Sequence, residues 1–114
     1  MLPAAARLTR SQDFGLVVRR GRRAGRPRLV VHALTPDVPT LDTPSKVGFV
    51  VSKAVGNSVV RHRVSRRLRH VVKPHLESLP PGTNVVVRAL AAAASATSAE
   101  LDADFSSALR KVLR

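Results

Sequence analysis

With 114 residues, 44% of them hydrophobic, the chain has length for one domain and apolar content for a modest core. Its formal charge of +13, from 20 Lys and Arg against 7 Asp and Glu, calls for an acidic partner, most commonly nucleic acid. The lack of cysteine excludes disulfides and cysteine-ligated zinc and fits a cytoplasmic protein. No apolar run approaches the ~18 residues of a membrane span.

Residues 1–7 are too short and too weakly apolar for a secretory signal and are expected to be disordered. A first helix is expected over residues 11–20, capped by Thr9 or Ser11, with Gln12 as capping-box partner of Thr9 and Gly21 closing the C-terminal end. Phe14, Val17 and Val18 mark one of its faces. Residues 22–28 form a basic connection, broken by Gly and Pro, with room for a short edge strand. Residues 29–34, Leu-Val-Val-His-Ala-Leu, read as a strand from their length and β-branched content. Residues 35–45 contain Pro36, Pro39 and Pro44 and read as a loop. A second strand is expected over 46–53 and a helix from about Asn57, which Pro74 breaks into a short helical turn through Leu79. A third strand covers 84–90, and 91–96 reads as a flexible loop. Thr97-Ser-Ala-Glu100 matches a capping box, and Leu101, Phe105, Ala108, Leu109 and Val112 recur at helical spacing to the end. This order predicts an α+β sandwich, a mixed sheet of about four strands with helices packed on it, as a single domain over 1–114.

The helix after Asn57 concentrates the charge. At about 100° per residue, Val60, Val64, Leu68, Val71 and Val72 share an arc of roughly 120°, wide enough to lie on a core. His62, Ser65, Arg66, Arg69 and Lys73 lie opposite, with Arg61 and Arg67 at the borders, and no acid occurs between Asp42 and Glu77. Such a face suits a polyanion, since the fork of arginine donors meets two phosphate oxygens at once. Eight Lys and Arg lie between Arg7 and Arg28 and eight more between Lys46 and Lys73, so the charge falls in two blocks.

Ser52, Lys53, Gly56, Asn57, Arg61, Arg63, Arg66 and Arg69 closely resemble the signature of the bacterial ribonuclease P protein subunit. His62 and Ser65 depart from it, standing where that family has asparagine and lysine. The weaker resemblance runs from about Leu8 to the C-terminus. It implies a left-handed strand–helix–strand crossover, shared with a domain of a small-subunit ribosomal protein. It also implies a catalytic RNA partner that hydrolyses precursor tRNA with bound Mg²⁺, no metal being held by a protein site. The RNA-binding residues it implies are Lys53, Asn57, Arg61, His62, Arg63, Arg66, Arg67 and Arg69. A cleft between the first helix and the sheet, marked by Phe14, Val18 and His32, would take the 5′ leader. Val18 and His32 replace aromatics common in the family, so the leader would be gripped less by stacking and more by arginine and His32.

Catalytic constellations are absent from the residues themselves: no His-x-x-x-His pair, no carboxylate pair and no phosphate-binding loop of the GxxxxGK[ST] type. His62 and His70 read as solvated members of the basic face. Asp102, Asp104 and Glu100 sit where they complement the dipole of the last helix. The alternative the composition leaves open is a structural ribosomal or nucleoid protein. A membrane-surface helix is disfavoured because the apolar arc holds valines and one leucine with no aromatic.

Overall fold

The computed structural model describes residues 2–38 and 42–114, so part of the expected 35–45 loop lies outside the described residues. Helix α1 spans Ser11–Arg20. Strands β1 (Arg22–Gly25), β2 (Leu29–Leu34) and β3 (Lys46–Val50) follow, then α2 (Ser58–Val72), β4 (Asn84–Ala89) and α3 (Ser98–Val112). The strands form one sheet in the order β1-β2-β4-β3. The β1–β2 and β2–β4 pairs are antiparallel, whereas β3 and β4 run parallel with α2 as their crossover.

Alternation along the strands gives the sheet two faces. Leu29, Val31 and Ala33 of β2 and Val85, Val87 and Ala89 of β4 point to the side covered by α2 and α3, where Val64, Leu68, Leu101, Phe105 and Ala108 complete the main core. Full burial of a side chain such as Leu68 or Leu101 contributes about 1.5–3 kcal/mol. The opposite face carries α1 alone: Val17 is buried against Val86 and Leu8, with Phe14, Leu34 and Val50 packed around them. That face is therefore thinly covered, and part of the sheet beside α1 remains open.

Three local expectations are corrected. Residues 2–7 are not disordered: Leu2 is buried, Ala4–Ala6 form a 3₁₀ turn, Arg7 bridges to Val47 at the edge of β3, and Leu8 N–H donates to the Val47 carbonyl at 3.0 Å. The segment covers an edge strand that would otherwise present unpaired backbone. Likewise, the alanine-rich stretch is a 3₁₀ helix, Ala91–Ser95, pinned by buried Ala93 and Ala96. At α1, Arg10 occupies the N-cap without a side-chain cap, and Gly21 has φ −76°. Glycine is needed there for space, because a Cβ would lie 2.7 Å from the Ala33 carbonyl oxygen.

Candidate nucleic-acid interface

Entry into α2 is set by two residues of the Gly-Asn turn. A Cβ on Gly56 would sit 2.8 Å from Val60 Cγ1, so only glycine lets the chain come this close to the first helical turn. Asn57 then caps the helix, its Oδ1 accepting from Val60 N–H at 3.0 Å. Lys53 is exposed in the turn that precedes it.

Val64, Leu68, Val71 and Val72 of α2 are buried, and the basic residues spread over the rest of the helix surface, from one border of this stripe to the other. Arg69 lies towards β3, where it lines a cavity of about 280 Å³ with Arg7, Thr9 and Phe49. Arg61 is half-buried, and its Nε is buried with no partner. On the other flank, Arg63, Arg66, Arg67 and His70 line a groove of about 380 Å³ against Ser98 of α3. There Arg67 donates to the Ala96 carbonyl at 2.7 Å and Arg63 to that of Ala94 at 3.3 Å. His62 and His70 are exposed, as expected of a solvated basic face.

The acids are engaged elsewhere. Glu100 closes the Thr97 capping box and pairs with Arg28 at 2.8 Å, while Asp104 meets the same guanidinium at 3.3 Å. The Glu100 carboxyl is held below its usual range by the Thr97 N–H, the nearby Arg28 charge and the Thr97 hydroxyl. Asp102 contacts His75 at 3.2 Å. Among the described residues, Arg28 is the only Lys or Arg in a salt bridge.

On the open face of the sheet, a groove of about 650 Å³ runs beside α1, lined by Val18, Arg23, His32, Val86, Arg88 and Leu90. Val18 is exposed and His32 is only 6% exposed. Burial, then the charges of Arg23 and Arg88, lowers the His32 pKa from its ordinary value, so the ring is neutral at pH 7, and its Nδ1 is buried without a partner. The structure thus joins two of the three residues expected here. Phe14 lies outside the groove lining, half-buried where its ring lies over Gly48 and Leu8. Arg23 and Arg88 were missed by sequence reasoning. The signal was present: in Val85-Val86-Val87-Arg88, alternation puts Arg88 on the face of Val86 and away from the main core.

A basic helix with no paired carboxylate on one face of the sheet, and a groove flanked by arginines on the other, mark a nucleic-acid-binding protein. A family model described as Ribonuclease P matches residues 2–113. The chain is 54% identical over 118 aligned positions to the ribonuclease P protein component of Streptomyces bikiniensis, covering 99% of this chain and 96% of that one. It is 55% identical over 113 positions to that of Mycobacterium sp. (strain KMS), covering 97% and 92%. The Staphylococcus aureus RNase P protein superposes with a TM-score of 0.79 at 22% identity, covering 96% of this chain and 98% of that one. The Thermotoga maritima RNase P protein, solved in complex with 1-(4-fluorophenyl)-2-thiourea, gives 0.74 at 20% identity, with 95% and 98% covered. The chain belongs to the ribonuclease P protein family, the non-catalytic protein component of a ribonucleoprotein endoribonuclease that processes tRNA. A purely ribosomal or nucleoid role is not favoured.

Proposed function

We propose that α2 and the turn before it dock on the catalytic RNA, and that the groove beside α1 holds the 5′ leader of precursor tRNA. The docking residues are Lys53, Asn57, Arg61, His62, Arg63, Arg66, Arg67 and Arg69. Val18 and His32 line the leader groove, and the half-exposed Phe14, one helical turn before Val18, borders it. The observation that carries this reading is the disposition of charge. All three carboxylates of α3 are engaged by Arg28 or His75, which leaves the α2 cations to phosphate.

Among the described residues, no three His, Asp or Glu side chains stand together as metal ligands. Mg²⁺ in this reading belongs to the RNA and its substrate. The protein's work is to position two RNAs and lower their mutual repulsion, which would favour divalent-ion binding at physiological salt. In this reading the chain is one RNA-binding domain that works in the cytoplasm, where precursor tRNA is made. The test is reconstitution with a ribonuclease P RNA and precursor tRNA at low Mg²⁺. The chain should restore 5′-leader removal that the RNA alone does not support under those conditions, and failure to do so would sink the proposal.

A further inference from the structure

We infer that the groove beside α1 takes up one proton from solvent as it fills, His32 receiving it while Arg23 and Arg88 hold a backbone phosphate beside the ring. The inference rests on the reading that this groove holds the 5′ leader, and adds that its occupancy is tied to pH. The sheet register brings the three side chains together. Arg23 of β1 stands directly opposite His32 of β2. Arg88 of β4 is the diagonal neighbour of His32, two residues beyond its partner Val86. Directly opposed residues have Cβ atoms about 4.5–5.5 Å apart, and diagonal ones stay within reach of long side chains. All three residues line the groove.

In the free protein this arrangement disfavours a charged ring. His32 is buried, and its Nδ1 has no partner. The groove lining holds no Asp or Glu: β1 and β4 present guanidinium groups to the ring, while α1 and β3 present Val18 and Val50. Asp13, the one acid of α1, lies about 140° round the helix from Val18. A proton on His32 therefore meets desolvation and two like charges. A phosphodiester held by Arg23 and Arg88 reverses the second of these. It brings negative charge to the ring and supplies acceptor oxygens to an imidazolium, both of whose nitrogens donate. By reciprocity, whatever favours the imidazolium binds more tightly when protons are available. Leader affinity should then rise as pH falls, by at most about tenfold per pH unit, the limit for a single proton. A base laid over the ring with no phosphate beside it would deepen the desolvation and act in the opposite sense, so the sign of the effect reports which group sits there.

The first test is an NMR titration of the His32 ring in the full chain, free and saturated with a single-stranded oligonucleotide of leader length. The titration midpoint should move up on binding. An unmoved or lowered midpoint, in a complex whose Val18 and Val86 resonances do shift, would overturn the inference and leave the groove reading standing. If the oligonucleotide binds without moving Val18 or Val86, the groove reading itself fails and the inference falls with it. The second test uses the holoenzyme and a precursor tRNA made uncleavable at its scissile bond. From pH 8 to pH 6, affinity for this precursor relative to mature tRNA should rise severalfold. His32→Gln, which cannot take a charge, should abolish that dependence, whereas His70→Gln, on an exposed part of α2, should keep it. A dependence that survives in His32→Gln would place the proton elsewhere and overturn the inference.

Discussion

His32 and Gly48 show how single residues shape the open face of the sheet. The fold keeps His32 neutral by burial and by Arg23 and Arg88, whereas in the unfolded chain it titrates near its ordinary pKa of about 6.5. Below that pH the unfolded state binds a proton that the folded state resists, so stability falls as pH drops from about 6.5 towards the lowered folded value. Melting curves of the wild type and His32→Phe from pH 5 to 8 should therefore diverge on the acid side, the wild type losing more; parallel curves would refute the linkage. The same variant gives the groove a ring for base stacking, typically worth about 1–3 kcal/mol, and should tighten precursor-tRNA binding in the holoenzyme. At Gly48, an added Cβ would lie 2.6 Å from Phe14 Cε1. Gly48→Ala should cost about 1–3 kcal/mol by overpacking. Much less should be lost when it is combined with Phe14→Ala, because the two side chains meet. Additive losses would mean that Phe14 is not what Gly48 accommodates. Phe14→Ala alone should lower the melting temperature through the lost packing. If its exposed edge touches the leader, precursor affinity should fall by roughly a further 1 kcal/mol with mature-tRNA affinity unchanged; equal loss of both affinities would make it a packing residue only.

Helices and strands carry their own tests. The Thr97–Glu100 capping box starts α3, and Thr97→Ala should cost roughly 1 kcal/mol in chemical denaturation. Arg69→Ala should lower the salt slope of binding to the catalytic RNA by about 0.7–0.9, one phosphate contact's worth, and an unchanged slope would leave Arg69 merely solvated. These elements were legible because local signals fix them: α1 and β2 begin and end where periodicity and the turn residues place them, and the capping box forms as its residues imply. β3 stops at Val50, three residues short of the expected strand, because Ser52 and Lys53 accept the N–H groups of Val55 and Gly56 in a turn. What stayed hidden depends on partners distant in sequence. Leu2 gives no sign of being buried until β3 offers it an edge. Arg63 and Arg67 find their carbonyl partners only once Ala94 and Ala96 are placed beside α2, and Phe14 is drawn from the groove by the missing side chain of Gly48. Arg28 looked like one more loop cation until Glu100 and Asp104 were placed beside it.

As a whole, the molecule holds a charge of +13 with few internal pairs, which makes the compact state repel itself and favours anything polyanionic that binds it. Purified, RNA-free protein mixed with precursor tRNA and Mg²⁺ should not cleave it, since the residues supply no group placed to activate water; specific leader removal there would overturn the assignment of catalysis to RNA. The strand order has a further consequence, for the way the chain is made. β4 is the last strand in sequence yet sits between β2 and β3, which do not touch each other without it. A growing chain therefore exposes a hairpin, β1 with β2, and a detached β3 followed by α2, and cannot join them until residues 84–89 have emerged. By then 16 of the 20 Lys and Arg, those between Arg7 and Lys73, are already outside and unfolded among cellular RNAs. Fragment 1–82 should accordingly show no cooperative melting while still binding RNA without selectivity, and cooperative unfolding should appear only in a fragment that extends beyond Ala89.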